Sequence, residues 1–254
     1  NKITKEYDVI ISCGRKSVIP SIVLKKNSNK KVLNIHVQDP KISLQNFDFI
    51  VVPEHDEIDG PNVYLSKGAI HYVTLEEINE NSNYLKNKIQ KEKDIITLIL
   101  GGPNKYYDYT NENMINIFSK IKKHLDEKNL QLIVIRSIRT PSKAIQFAKE
   151  YFNKDRLIIE NIDKKAYLSS LALAKFIIVT CDSSSMISEA AITGKPLYVA
   201  MIPPRRSDKR FQKFRNLLEN MNVIRYLDNE LDIWNYEKLD ETKRIANQLK
   251  KKLF

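Results

Sequence analysis

The segment from Thr180 to Gly194 holds residue types whose order suits a ligand that carries phosphate groups. An apolar run ends at Thr180, small polar residues follow, and a helical stretch then continues to Gly194 and Pro196, which stop it. The first turn of a helix offers unpaired backbone N–H groups and a partial positive charge, and serine hydroxyls add hydrogen bonds without bulk. The polar residues that could meet a diphosphate are Asp182, Ser183, Ser184 and Ser185. The alternative interpretation is that Asp182 and the serines only cap the helix.

Glu189 lies one turn further along the same helix. In a capping box the acidic residue is the third after the N-cap, and with Ser185 as the cap that position is Ser188, so Glu189 lies outside the box. Its carboxylate could extend past the phosphates to the hydroxyls of a sugar, or it could simply favour the helix dipole. The displaced position favours a nucleotide-diphosphate ligand over a plain cap.

Two further loops follow strand-like runs. Arg136, Ser137 and Arg139 come where one run ends, and guanidinium groups bind phosphate with a fork of donors, although solvated surface arginines are the alternative. Gly101 and Gly102 end another run and let the backbone approach a ligand closely, but no Lys-Ser/Thr pair follows at the spacing of a P-loop. Because the carboxyl ends of parallel strands share one edge of a sheet, we expect the three loops to form one site.

Short β-branched runs alternate with amphipathic helical stretches along the chain. The runs have little polar alternation, which is typical of parallel strands covered on both faces, and the alternation with helices predicts doubly wound α/β sheets. The predicted strands are Asp8–Ser12, Val32–His36, Phe49–Val52, Ile95–Leu100, Leu132–Arg136, Leu157–Ile159, Phe176–Thr180 and Leu197–Met201. The predicted helices are Asn111–Leu125, Thr140–Phe152, Ala166–Ala174 and Leu239–Leu253, and the polar stretch Glu76–Asp94 is expected to be a helix leading into a lobe boundary.

This pattern predicts two Rossmann-like lobes with parallel sheets and a boundary near residue 85. Residues 1–85 form the N-terminal lobe and residues 86–254 the C-terminal lobe, with the last helix packing back on the first lobe. The first lobe would hold about three strands, fewer than a freestanding doubly wound lobe usually has. The chain does not begin with Met and enters a strand almost at once, so we expect a natural N-terminal portion to be missing and the lobe to be small or truncated.

The composition narrows the function classes. The 254 residues are 42% apolar and carry a formal net charge of +11, but they contain no apolar run of the ~18 residues that a membrane span needs and no h-region of a signal peptide. The positive charge is mostly dispersed lysine without interleaved aromatic residues, so nucleic-acid binding is unlikely. The two cysteines lack metal-like spacing, which favours buried free thiols in the cytoplasm.

One stretch, Pro203–Arg215, is densely basic and follows a strand end. It could close over phosphates, contact anionic lipid headgroups beside a lipid-linked acceptor, or form a solvated loop. The sequence therefore predicts a cytoplasmic protein with a possible peripheral contact to an anionic membrane.

These segments together resemble the mitochondrial fission Elm family, whose bacterial members look like GT-B glycosyltransferases. The resemblance covers nearly the whole chain and is carried by Cys13–Lys16, Gln38–Pro40, Phe47–Asp48, Val52–Asp56, Gly60–Val63, Gly68–Ala69, Gly101–Pro103, Ser137–Pro141, Thr180–Ser183, Ser185–Met186, Ser188–Ala190, Gly194–Pro196, Lys213–Phe214 and Trp234. Members usually carry an earlier Gly-rich segment before the first strand, which this chain lacks. The resemblance implies that the C-terminal lobe holds a nucleotide-sugar. The diphosphate would contact Ser183, Ser184, Ser185 and Met186 at the helix start, and Glu189 would contact the ribose.

Sugar transfer in a GT-B frame needs a general base for the acceptor hydroxyl and positive charge for the leaving diphosphate. A helix N-terminus and arginines can supply that charge, so no metal and no other cofactor is obligatory. The base is expected from the N-terminal lobe, where His55 and Asp56 follow one strand and Asp39 follows another. For each of them, hydrogen bonding within a loop is the alternative role.

The resulting hypothesis is a GT-B-like protein that binds a UDP-, GDP- or ADP-type nucleotide-sugar, as a glycosyltransferase without a metal requirement. The alternatives are a non-catalytic binding or scaffold protein on the same frame, and an enzyme similar to nucleotide-sugar epimerases.

Overall fold

The computed structural model describes residues 7–154, 156–228 and 230–253. The strands, in chain order, are β1 (Val9–Cys13), β2 (Leu33–Val37), β3 (Phe49–Pro53), β4 (Val63–Ser66), β5 (Asp94–Leu100), β6 (Leu130–Arg136), β7 (Arg156–Ile159), β8 (Phe176–Thr180), β9 (Leu197–Ala200) and β10 (Ile224–Tyr226). The α-helices are α1 (Val18–Lys26), α2 (Leu75–Glu80), α3 (Asn111–Lys128), α4 (Ser142–Tyr151), α5 (Lys164–Leu173), α6 (Ser184–Ala191), α7 (Lys209–Asn220) and α8 (Glu241–Leu253). Every predicted strand is present, which confirms the α/β class.

The described chain divides into two compact units. Unit 1 holds the residues up to Ile70 together with those from Glu241 onward, and unit 2 is His71–Asp240. Each unit has its own parallel sheet, with the order β1-β2-β3-β4 in unit 1 and β10-β9-β8-β5-β6-β7 in unit 2.

In unit 1, α1 covers one face of β1 and β2. Its small apolar core includes Val18 from α1 and Ile50 and Val52 from β3. Helix α8 closes the β4 side, since the Glu241 carboxylate accepts the backbone N–H of Lys67 at 2.6 Å. The α8 residues therefore belong to unit 1 although they lie at the other end of the chain.

In unit 2, the sheet is doubly wound around β5. This central strand pairs with β6 on one side and with β8 on the other, so the strand order reverses between β5 and β8. The strands are nearly continuous runs of buried Ile, Val and Leu because helices cover both faces. Helix α3 shows the matching helical period, with Met114, Ile117 and Ile121 buried on its inner side.

Some elements differ from the sequence-based expectation. The division between the units falls between Ile70 and His71, whereas the sequence placed it near residue 85. Residues just after Ile70 stay with unit 2 because α2 packs on α5 and the buried Leu85 donates its N–H to Ser169 Oγ at 3.1 Å. The expected helix over Glu76–Asp94 is wrong beyond Glu80, because asparagines at 81 and 83 favour turns over helix continuation.

The strands β4 (VYLS) and β10 (IRY) escaped the sequence analysis because each is short and its apolar residues are interrupted by a tyrosine, serine or arginine. Unit 1 therefore has a four-stranded sheet within its described residues instead of three strands. The two cysteines are free as expected, but only Cys181 is buried, and Cys13 is exposed on the edge strand β1.

Candidate functional site

Three loops meet at the carboxyl edge of the unit 2 sheet, at the point where the strand order reverses. Because β5 pairs with both β6 and β8, the loop of Gly101 and Gly102 lies between residues 137–140 and residues 181–183. In open α/β sheets this reversal creates the crevice in which ligands bind. The structure thus brings together the three loops that the sequence singled out.

Asp182 holds these loops together from inside. Its side chain has no exposed surface, and its two oxygens accept hydrogen bonds from the groups around it. One oxygen accepts from the Tyr109 and Thr180 hydroxyls at 2.6 and 2.7 Å. The other accepts from Gly102 N at 3.0 Å and from Arg139 Nη2 at 2.9 Å. We call Asp182, Arg139, Tyr109, Thr180 and Gly102 the Asp182 network.

Within the network, burial and the neighbouring Asp182 charge raise the pKa of Tyr109 well above its ordinary value, so its hydroxyl stays protonated and donates. Arg139 also donates from Nη1 to Gly102 O at 2.9 Å. Asp182 and Arg139 neutralise each other, and the Asp182 carboxylate has no exposed surface that a ligand could contact.

The Gly-Gly pair is required by this packing. A Cβ on Gly101 would overlap the Asp182 carboxylate, and a Cβ on Gly102 would overlap the Arg139 backbone carbonyl. The two glycines therefore let the backbone pack closely against Asp182 and Arg139 of the same chain, and not against a ligand.

Helix α6 begins beside this network. Ser183 is its N-cap and accepts from Met186 N at 3.4 Å, so the cap is Ser183 and the conditional choice of Ser185 was wrong. The third helical position is then Met186, and Glu189 stays outside a capping box. Ser184 is half-buried and Ser185 exposed, so this helix start faces solvent with small polar residues.

Arg136 lies at the end of β6 and differs from Arg139. Its guanidinium donates to the carbonyls of Glu160 at 3.1 Å and Thr140 at 2.6 Å. No carboxylate pairs with it among the described residues, and its Nε is buried without a partner. Arg136 therefore brings a positive charge to this edge that no acidic side chain in the described chain neutralises.

A cavity of about 310 Å³ opens next to these elements within unit 2. Its volume is at the lower end of the range for small-molecule sites. The wall residues that matter most come from β6, the loop after it, α5 and α6, namely Ile135, Arg136, Ile138, Tyr167, Met186 and Glu189.

Glu189 faces this cavity from the second turn of α6. It accepts the Tyr167 hydroxyl at 2.8 Å. Burial raises the pKa of Glu189, while the Tyr167 hydrogen bond and the nearby His71 act in the opposite direction. Burial together with the Glu189 charge also keeps the pKa of Tyr167 well above its ordinary value, so the tyrosine remains the donor.

Large apolar side chains surround the cavity mouth although they are exposed. The exposed fractions are 85% for Ile138, 60% for Ile162 and 66% for Tyr72. Lys164 lies with its amine 4.7 Å from the Tyr72 ring centroid, and its charge is paired with Glu77 at 2.7 Å. The sequence analysis did not identify these wall residues. Among the missed residues of the cavity wall, Tyr167 could have been found from the sequence, because it is the sole aromatic residue within the predicted helix Ala166–Ala174.

The expected general-base candidates lie on unit 1 and are only slightly exposed. His55 Nε2 is 3.8 Å from Asp56 Oδ1, and the side chains are 5% and 10% exposed. Asp39 pairs with Lys41 and also accepts its backbone N–H at 2.8 Å. Asp39 and His55 follow the adjacent strands β2 and β3, so they share one sheet edge.

Neither a metal cluster nor a membrane-crossing helix emerges from the part of the chain that the structure describes. No group of three or more His, Cys, Asp or Glu side chains in it could hold a metal ion. None of its helices combines the length and apolar character that crossing a membrane requires.

Comparison with solved structures defines the class of fold. The chain superposes on a UDP-GlcNAc 2-epimerase from Methanocaldococcus jannaschii with a TM-score of 0.54 and 16% identity, over 96% of this chain and 77% of that one. A UDP-GlcNAc 2-epimerase from Neisseria meningitidis bound to UDP-GlcNAc gives 0.54 and 13%, over 96% and 76%. ADP-heptose lipopolysaccharide heptosyltransferase II from E. coli gives 0.50 and 13%, over 96% and 76%. The two parallel-sheet units are therefore of the GT-B class.

The sequence relatives are more specific. The family model described as "Mitochondrial fission ELM1" matches residues 3–253, and the chain belongs to that family. It is 27% identical to an uncharacterised protein of Rickettsia prowazekii, over 96% of this chain and 79% of that protein. It is 22% identical to mitochondrial fission protein ELM1 of Arabidopsis thaliana, over 96% of this chain and 64% of that protein. The chain thus spans less than two thirds of the plant relative.

Proposed function

We propose that unit 2 binds a nucleotide-diphosphate sugar and that the chain transfers the sugar without a metal ion. The observation that carries the proposal is the cavity between α5 and α6, because it joins an apolar mouth, the half-buried Glu189 carboxylate and Arg136, which has no acidic partner among the described residues, at the reversal of the sheet. Such a combination of apolar walls and a few converging polar groups is typical of cofactor and nucleotide sites.

The nucleoside is assigned to the cavity. A volume of about 310 Å³ suits a nucleoside better than a whole nucleotide-sugar. The exposed side chains of Ile138 and Ile162 offer apolar surface to the faces of a base. Glu189 is placed one turn inside α6, where an ionised carboxylate can accept hydrogen bonds from the ribose hydroxyls.

The diphosphate is assigned to the start of α6. The backbone N–H groups of Ser184 and Ser185 have no helical acceptor, as at every helix start, and both side chains are at least partly exposed. Arg136 adds the positive charge. Asp182 does not oppose an anion here because Arg139 neutralises it and its side chain is fully buried. We assign Asp182, Gly101, Gly102 and Arg139 the role of holding this edge in place.

Two of the similar structures support the assignment of a nucleotide-sugar as the ligand. One of them is bound to UDP-GlcNAc, and the other is an ADP-heptose heptosyltransferase. Nucleotide-sugars are therefore ligands of those two proteins. At 13–16% identity these likenesses carry the fold, and the ligand of this chain rests on the cavity itself.

Calorimetric titration with UDP-, GDP- and ADP-sugars tests the proposal. We expect one class to bind and Glu189→Gln to weaken it at least about tenfold, as is usual for a lost hydrogen bond to a charged group. Glu150→Gln removes an exposed glutamate on α4 and serves as the matched control. If folded protein binds none of the three classes, or if both variants weaken binding equally, the proposal fails.

A second candidate is a binding protein that does not catalyse transfer. It is favoured by the low exposure of His55 and Asp56, which leaves little surface for an acceptor hydroxyl to reach. Chromatography of the bound nucleotide-sugar after long incubation separates the candidates. Release of nucleoside diphosphate with a sugar acceptor supports transfer, an altered sugar without any acceptor indicates epimerisation, and unchanged ligand in both cases indicates binding alone.

A further inference from the structure

Segment 203–218, which contains the start of α7, exposes a concentrated positive charge. Its exposed cations are Arg205, Arg206, Lys209, Arg210 and Lys213, which we call the basic surface. The inner side of α7 is occupied instead by Phe214, Arg215 and Leu218, which are buried. The helix therefore separates a packed side from a cationic side.

The single acidic residue of segment 203–218 does not compensate this charge. Asp208 turns inward, where it accepts from Arg215 Nη2 at 2.9 Å and from the Tyr107 hydroxyl. Arg215 also donates to Tyr107 at 3.0 Å, which closes a neutral buried cluster. Asp208 is thus neutralised by the buried Arg215, whereas the five cations of the basic surface are exposed.

The basic surface is firmly held at the carboxyl edge of the unit 2 sheet. The Arg205 backbone N–H donates to Tyr106 O at 2.7 Å, and Pro204 bridges to Tyr107. Arg205 itself is partly neutralised by Asp108 at 3.0 Å. Arg206 and Lys209 have no carboxylate partner among the described residues.

The chemistry of this surface indicates its partner. Segment 203–218 contains no exposed large apolar side chain, whereas protein interfaces usually have an apolar centre. Phe211 packs edge-on against Tyr106 and Tyr107, so it does not offer a ring for stacking on bases. Five exposed Lys and Arg, three on α7 and two in the loop just before it, form a cluster without apolar anchors that matches a surface of anionic headgroups.

We propose that the basic surface docks the protein electrostatically on a bilayer that contains anionic lipids. The contact is peripheral and reversible, since no side chain of the surface inserts into the acyl region, and it weakens steeply with salt. Docking would present the carboxyl edge of unit 2 to the lipid surface. The inference does not depend on nucleotide-sugar binding.

Co-sedimentation of the full chain with vesicles tests the proposal. The vesicles contain phosphatidylcholine alone or phosphatidylcholine mixed with phosphatidylglycerol. We expect binding only to the mixed vesicles, with loss at high salt. The double variant Arg206→Gln, Lys209→Gln should bind them about 25-fold more weakly, at about fivefold per cation removed.

The matched control is the double variant Lys143→Gln, Lys165→Gln, which removes the same charge from exposed positions on α4 and α5. It should bind within about twofold of the unaltered protein if position matters more than net charge. Circular dichroism checks that both variants are folded, and nucleic-acid binding is measured in parallel. The proposal is overturned if the unaltered protein does not bind the mixed vesicles, or if both variants lose vesicle binding equally. It is also overturned if the basic-surface variant loses binding to single-stranded RNA but keeps its binding to the mixed vesicles.

Discussion

The carboxyl edges of the two sheets differ in how their polar groups are used. In unit 2 the strand order reverses between β5 and β8, and the Asp182 network holds together the three loops that border the crevice there. In unit 1 the strands follow one another from β1 to β4 without a reversal in the described residues. There the candidate bases are covered or paired.

Among the described residues, buried polar atoms without a hydrogen-bond partner occur in both units, and two of the side chains in unit 1 that carry them lie on β2. Under α1, the side chain of Asn34 is fully buried with neither amide atom partnered, and His36 Nε2 also lacks a partner among the described residues. His36 Nδ1 has a single contact, the Ser12 hydroxyl at 2.8 Å. The comparison teaches that Asp182 positions three loops because its partners come from all of them, whereas the side chains of Asn34 and His36, with few or no hydrogen bonds among the described residues, tie no loops together.

Removing the centre of the Asp182 network should have the largest effect. Asp182→Ala deprives the buried Gly102 N–H and the Tyr109 hydroxyl of an acceptor and removes the partner of Arg139, which is 38% exposed, so we expect a loss of about 2–4 kcal/mol in the free energy of unfolding. Denaturant unfolding measures it. Asp228→Ala, which breaks an exposed pair with Lys120, is the control and should cost at most about 1 kcal/mol. Equal losses in the two variants would show that the Asp182 network stabilises the fold no more than an exposed ion pair does.

Crowding the same edge should have an intermediate effect. Gly101→Ala places a methyl group on the Asp182 carboxylate, so we expect about 1–3 kcal/mol of destabilisation from overpacking. Gly60→Ala in unit 1 meets only side chains of Leu44 and Val63, at 3.1 and 3.2 Å, and should be tolerated better. If thermal unfolding ranks the two variants in the opposite order, the account of the Gly-Gly pair is wrong.

The smallest expected effect is a pH dependence confined to unit 1. Burial lowers the pKa of His36, with Asp39 acting against this, so the unfolded chain binds a proton that the folded unit excludes. Stability from this group is complete above the ordinary pKa of about 6.5 and is lost as the pH falls below it. The protection factors of the β2 amides, which correct the measured hydrogen exchange for its intrinsic pH dependence, should therefore fall on acidification, and His36→Gln should remove that change.

His124 offers the matched comparison in unit 2. Burial, followed by the charge of Lys128, also lowers its pKa, so His124→Gln should flatten the pH dependence of exchange in α3 and leave β2 unaltered. A β2 response that persists in His36→Gln would contradict the assignment to unit 1.

Much of the fold could be predicted from the sequence because buried parallel strands are written as unbroken apolar runs. The three loops at the unit 2 edge could also be predicted, since each directly follows such a run. The role of Asp182 could not be, because a carboxylate after a strand looks the same whether it faces a ligand or accepts from Tyr109, which lies 73 residues away in sequence. The cavity wall of Ile138, Ile162 and Tyr72 likewise depends on tertiary packing.

The most direct test of the central claim is a crystal structure of the chain with the nucleotide-sugar that binds best in calorimetry. We predict density for the nucleoside in the cavity beside Glu189 and Tyr167, and for the diphosphate against Ser184, Ser185 and Arg136. A ligand bound away from the start of α6, or a diphosphate held by unit 1 residues alone, would contradict the account.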